Sequence, residues 1–194
     1  MRRLALAAAA ALILAEPAVA QPAPAAPPPP PCATAEHRQL DFWVGDWELE
    51  FDLPNGGKGK ATNRITRDAF GSCAIVEHFV QPGGGPGGAD YVGGSYSAWD
   101  PQTGRWRQMW VDNAGTPFVL VGGPVSGQPH VFELVTTEPR GPTPDQRKIR
   151  RMIWEQVTPD SLVWRWQAQE ADGGWSDSWV LRYRRKGTAT TGGN

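Results

Sequence analysis

Two short runs of this chain set tryptophans and polar groups on a common face. Side chains alternate between faces along a strand. In 105–112 that rule groups Trp106, Gln108, Trp110 and Asp112, opposite Arg105, Arg107, Met109 and Val111. In 161–169 it groups Leu162, Trp164, Trp166 and Ala168, opposite Val163, Arg165, Gln167 and Gln169. A face that mixes indoles with Gln and Asp suits a pocket wall, where aromatic area binds and a few polar groups orient. The alternative is a barrel filled by its own tryptophans. Glu77 shares a strand face with Ile75 and Phe79, so it is expected to point inward. A buried carboxylate is costly unless paired, and Arg151 is the expected partner. That pair would be either a polar pocket floor or a structural salt bridge. The candidate ligand-binding residues are therefore Glu77, Ser95, Trp106, Gln108, Trp110, Arg151, Trp164 and Trp166.

Other chemistries find little support. Ser95 lies in Gly93-Gly94-Ser95-Tyr96-Ser97, where Ser97 stands in place of the last glycine of a nucleophile elbow. No Asp-His pair is placed to activate it, so no catalytic residue is assigned. His37, His78 and His130 are far apart, and neither His-x-His nor Cys-x-x-Cys spacing occurs, so no metal site and no cofactor is expected. The glycine-rich stretch 83–88 lacks the Lys-Ser/Thr and the helix of a phosphate cradle, and reads as a hairpin tip.

The elements that must position these residues are strands. Gly and Pro punctuate the chain, with β-branched and aromatic runs between them. Strands are predicted over 45–52, 58–67, 74–81, 91–99, 105–112, 117–121, 128–137, 146–156, 161–169 and 175–185. One short helix is predicted over 34–42, with Thr34 as its N-cap. The fold class is all-β: a single antiparallel up-and-down barrel of about ten strands with a short N-terminal helix. Closure removes the exposed edges that such a meander would otherwise carry.

The chain opens with Met1-Arg2-Arg3, an apolar run over 4–15, and Pro17-Ala18-Val19-Ala20. This is the pattern of a cleaved secretory signal over 1–20, too short to span a bilayer. Residues 21–33 form a Pro/Ala-rich linker, the barrel domain covers 34–186, and 187–194 read as a disordered tail. The expected location is periplasmic or secreted. The chain has 19 basic and 20 acidic residues. Loss of Arg2, Arg3 and Glu16 with the signal takes the formal charge from −1 to −2. That balance argues against a nucleic-acid partner, which needs a strongly basic face. No integral membrane segment is expected after signal cleavage. In an oxidising compartment the two cysteines, Cys32 and Cys73, are expected to pair. The loop of about 40 residues that they would close is worth roughly 3–4 kcal/mol on the chain-entropy account.

These residues also carry a resemblance. Phe42-Trp43-Val44-Gly45-Asp46-Trp47-Glu48 is similar to the opening of a bacterial exported domain of unknown function, the DUF1579-type family of lipocalin-like (calycin) character. Further matches are Gly71 to Glu77, Gly94-Ser95-Tyr96, Trp99 to Asp112, and Arg151-Met152-Ile153-Trp154. Asp172-Gly173-Gly174 ahead of Tyr183-Arg184-Arg185 completes the pattern. Gln167 and Gln169 depart from it, standing where Glu and Ser are expected. The resemblance implies a barrel with an internal cavity, and no established activity. A haem-binding nitrobindin-like barrel has a similar Trp-Gly opening. It uses a histidine near its C-terminus, which Trp179-Val180-Leu181-Arg182-Tyr183 does not supply.

The functional expectation is an exported barrel that binds a small hydrophobic or amphipathic molecule in a Trp-lined cavity. Two other classes remain open. One is a hydrolase or isomerase on the same barrel with Glu77 as general base. The other is a surface binder of carbohydrate or protein, to which the Asp172-Gly173-Gly174-Trp175 turn would contribute.

Overall fold

Strict alternation of burial along Gly45–Asp52, Arg105–Asp112 and Phe132–Thr136 makes these segments half-buried strands, and seven further runs join them. A computed structural model of the chain describes residues 32–115 and 117–187. Its strands are β1 (Gly45–Asp52), β2 (Lys58–Ala69), β3 (Ala74–Gln81), β4 (Tyr91–Asp100) and β5 (Arg105–Asp112). They continue as β6 (Phe118–Pro124), β7 (Phe132–Thr136), β8 (Arg150–Glu155), β9 (Ser161–Gln169) and β10 (Trp175–Arg185). Each pairs antiparallel with its sequence neighbours, and β1 pairs with β10, so the sheet closes into a ten-stranded barrel without a free edge. The signal expected over 1–20, most of the linker expected over 21–33 and most of the tail expected over 187–194 lie outside the described residues.

Five expected strands have different bounds: β2 runs two residues beyond 67, β4 one beyond 99, and three others shift further. The expected start of β7 at Gln128 is displaced to Phe132 because Val125 and Val131 close a turn, with His130 at φ 73°. The expected start of β8 at Gln146 is displaced to Arg150 by a 3-10 turn at Pro144–Gln146. β6, expected over 117–121, runs on to Pro124 along β7. The helix expected over 34–42 forms instead as two 3-10 turns, Glu36–Arg38 and Asp41–Trp43. Thr34 does not cap it: its hydroxyl bonds His37 Nδ1 (2.8 Å), and Ala35 occupies the cap position. A segment this short gains too few backbone bonds to nucleate an α-helix alone, and tertiary contacts set its shape.

Those contacts make the segment a strap across one end of the barrel. Cys32 is bonded to Cys73 in the β2–β3 connection. Arg67 on β2 ion-pairs with Asp41 (2.5 Å). Trp106 on β5 donates to Gln39 Oε1 (3.0 Å). Arg185 on β10 donates to the carbonyl of Val44 (2.8 Å) and lies 4.1 Å from the centroid of the Trp47 ring. The same guanidinium crosses Gly45, where an added Cβ would fall 2.0 Å from Nη1, and Gly45 has φ 144°. The backbone conformation thus requires glycine in the Trp-Val-Gly-Asp-Trp run, and a side chain there would also displace the Arg185 guanidinium. Under the strap the core is packed solid: Leu40, Trp43, Trp47, Trp106, Phe132, Trp154 and Leu162 are all buried.

Candidate functional site

The opposite end is open. The β1–β2, β3–β4, β5–β6, β7–β8 and β9–β10 connections all lie there, and a cavity of about 640 Å³ descends from it. The wall at mid-depth is aromatic and closed on itself. Phe79 contacts Trp110 (6.3 Å between centroids), Trp110 contacts Phe118 (6.5 Å), and Phe118 stacks on Trp166 (5.6 Å). Trp166 stacks on Trp164 (6.3 Å), Trp164 meets Trp179 edge-on (6.1 Å), and Trp179 returns to Phe79 (5.8 Å). Six rings from β3, β5, β6, β9 and β10 therefore form a continuous belt, and every one lines the cavity. Offset and edge-to-face pairs at these separations are the favourable arrangements for aromatic quadrupoles.

Strand alternation places five of the rings. The sixth depends on a β-bulge: the β9–β10 register shifts between Asp177 and Trp179. One extra residue reverses which face follows it. Trp179 faces in, whereas Asp177 faces out and bonds Arg165 and Gln167. Trp110 has room because Gly93 lies behind it; a Cβ there would fall 2.2 Å from the indole.

Below the belt sits one carboxyl. Glu77 is 8% exposed, with Oε1 accepting from Asn63 Nδ2 (2.7 Å) and Oε2 from Ser95 Oγ (2.6 Å). Burial raises its pKa from the ordinary 4.5 to about 7, against the opposing pull of these two hydrogen bonds. Asn63 Nδ2 also donates to the Tyr183 hydroxyl (3.0 Å). Burial, and then the nearby Glu77 charge, push the Tyr183 phenol above its ordinary range. Above the belt, Asp112 Oδ2 accepts from Tyr91 Oη (2.8 Å) and Trp110 Nε1 (2.9 Å). Burial raises the Tyr91 phenol, and the Asp112 carboxylate it bonds raises it further. The other side of the mouth is basic, with Arg140, Arg147 and Arg150 along its lining.

Four of the eight candidate residues, Glu77, Trp110, Trp164 and Trp166, line this cavity. Ser95 is buried behind it and acts through its bond to Glu77. Gln108 faces inward but lies deeper, bonded to Ser97 Oγ (2.9 Å). Trp106 belongs to the packed end, against Phe132 and the strap. Arg151 is not the partner of Glu77. It faces outward, ion-paired with Glu133 (2.5 Å), bonded to Gln167 (2.6 Å) and stacked 4.3 Å from the Trp175 ring centroid. Since Met152 and Trp154 face in, alternation assigns the cavity side to Arg150 instead. Gln167 is also outside, so its departure from the family pattern does not touch the cavity wall. Tyr91, Phe118 and Trp179 also line it, although the sequence did not mark them.

Among the described residues no group of three or more His, Cys, Asp or Glu side chains is placed to hold a metal ion. Nor is any helix there long and apolar enough to cross a membrane.

The profile of a family described as protein of unknown function (DUF1579) matches residues 32–185. No curated protein matches the chain.

Proposed function

Because the chain belongs to the DUF1579 family of proteins of unknown function, its role has to come from its own cavity, and we propose that it is a small-molecule-binding barrel. The belt of six rings carries this reading. A cavity of about 640 Å³ is within the roughly 300–1,000 Å³ of small-molecule sites, which pair apolar walls with a few placed polar groups. Here the placed groups are Glu77 at the floor and Asp112 and the arginines at the mouth. The bound molecule is partly apolar, with its body between the rings and one polar group near Glu77. The protein is exported: a signal over 1–20 is removed, residues 21–33 tether a barrel domain over 34–186, and 187–194 form a tail. The Cys32–Cys73 disulfide accords with an oxidising compartment.

Native mass spectrometry on protein purified from a bacterial periplasm tests the reading. A reproducible extra mass, lost on denaturation, is expected. Trp166→Ala should weaken retention of that molecule about 10–100-fold, as expected for losing one large apolar contact surface. The Trp166 indole makes no side-chain hydrogen bond among the described residues, so its effect reports contact area. An unaltered affinity would remove the belt from the site.

The pKa of Glu77 favours a second reading, in which the same carboxyl works as a general base in a hydrolase or isomerase. A base poised near neutrality is the usual requirement for such chemistry. The two readings separate on Glu77→Gln. An enzyme would keep its ligand and lose turnover, whereas a binding protein would show only a changed affinity.

A further inference from the structure

The mouth of the cavity is asymmetric in charge. Its connection between β7 and β8 is a small hairpin, closed by the paired backbones of Arg140 and Lys148 (2.7 and 3.1 Å). The turn inside it is tight: an added Cβ on Gly141 would fall 2.3 Å from the Gln146 carbonyl oxygen. This hairpin carries Arg140 and Arg147 to the mouth, and Arg150 follows at the start of β8. Arg150 is held in place by neutral groups. Its Nε donates to the Arg140 carbonyl (3.1 Å) and its Nη1 to Ser178 Oγ (3.1 Å), next to the bulge that turns Trp179 inward. Neither Arg147 nor Arg150 forms an ion pair with a carboxylate among the described residues. Arg140 has one, to Glu138 at 3.4 Å. It also stands 6.0 Å from the centroid of Phe118, a ring of the belt.

The remaining mouth carboxylate, Asp112, is occupied by Tyr91 and Trp110. The next one down, Glu77, is a belt's depth away. A bound oxyanion would give Arg147 and Arg150, which have no carboxylate partner among the described residues, a charged acceptor, and would share Arg140 with Glu138. Arginine presents a planar fork of donors that suits carboxylate, sulfonate and phosphate groups. We infer that the cavity takes an amphipathic organic anion, with an aromatic or branched apolar body inside the belt and its oxyanion held at the mouth by Arg140, Arg147 and Arg150. This rests on the cavity being a binding site, and adds the charge and the orientation of what it binds. The anion faces outward because the Glu77 carboxyl at the floor would repel it when ionised.

Two probes of nearly identical shape separate the claims. 8-Anilinonaphthalene-1-sulfonate carries a sulfonate on the ring system of N-phenyl-1-naphthylamine, which is neutral. Fluorescence titration of the purified chain should show the sulfonate binding at least about tenfold more tightly than the neutral amine, a difference near 1.4 kcal/mol. That margin should shrink as salt is added, since mouth charges are screened. It should disappear in Arg147→Gln/Arg150→Gln, with the neutral amine binding as before. Arg147→Gln alone, at an exposed side chain, should lower the margin part way without disturbing the fold. If both probes bind equally well and salt has no effect, the anion assignment is overturned while the cavity stands. If neither probe binds, the binding reading itself falls.

Discussion

Glu77→Gln should shift resistance to unfolding increasingly in the variant's favour as the pH rises. The folded carboxyl has its pKa raised from 4.5 to about 7, so between those values the folded protein holds a proton that the unfolded chain has released. Stability changes with pH in proportion to protons bound in the unfolded state minus those bound in the folded state. That difference is negative here, so the contribution of Glu77 falls as pH rises from about 4.5 to about 7 and is flat above. At 1.36 kcal/mol per pKa unit, the full loss is about 3 kcal/mol. Glutamine does not titrate, and it keeps the shape and a carbonyl acceptor for Asn63 or Ser95. Urea unfolding of both proteins should therefore give a stability difference that moves in favour of the variant by about 3 kcal/mol from about pH 4 to about pH 8. All other titrating groups cancel in the difference. A difference independent of pH would mean that Glu77 is not held protonated by burial. A carboxyl that lowers stability near neutral pH, at the floor of an aromatic cavity, is what a functional site is expected to contain.

Much of this arrangement was legible in the sequence wherever period-two alternation was unbroken. The bounds of β1, β3, β5, β9 and β10 were all predicted as they stand, because turn residues flank each on both sides. The inward placement of Glu77, Trp110, Trp164 and Trp166 followed from the same rule. Arg151 shows how the rule fails when a charge is assigned by want of a partner. Glu77 needed a counter-charge only if ionised, and burial removes that need by keeping the proton on. Meanwhile Arg151 had Glu133, Gln167 and Trp175 on the outer face, from three different strands. Trp179 was hidden for another reason. Its direction depends on a bulge, which shifts the register without any residue type that announces it. The belt is a cross-strand object, so no single run of sequence could display it. Depth along the barrel was equally hidden: Trp106 and Trp110 share a face, yet one seals the packed end and the other lines the cavity.

The tryptophans should consequently divide into two classes on mutation, with Trp43→Ala in the damaging class. Trp43 is 1% exposed and fills the space between the strap and the barrel floor. Its ring meets Trp154 edge-on at 5.2 Å, and its carbonyl accepts from Trp47 Nε1 at 2.7 Å. Truncation would empty a volume enclosed on all sides, by the strap above and by Trp154 and its neighbours below. Large-to-small changes in such sites cost about 3–5 kcal/mol, because the lost transfer free energy is joined by a cavity that cannot collapse. The disulfide and the Arg67–Asp41 ion pair hold the strap in place over the vacancy, which limits relaxation further. Trp166 differs: it is only partly buried and lines the cavity, so its removal deletes fewer packed contacts and should cost less than about 1.5 kcal/mol. Chemical denaturation of the two variants checks the first half of this contrast, and probe binding checks the second. Trp43→Ala should lose stability while its folded fraction still takes the anionic probe, and Trp166→Ala should stay folded while losing it. Equal losses of stability would mean that the belt is packed core rather than a binding wall. A Trp166→Ala protein with unchanged binding would move the ligand away from the belt, leaving only the strap end of this division standing.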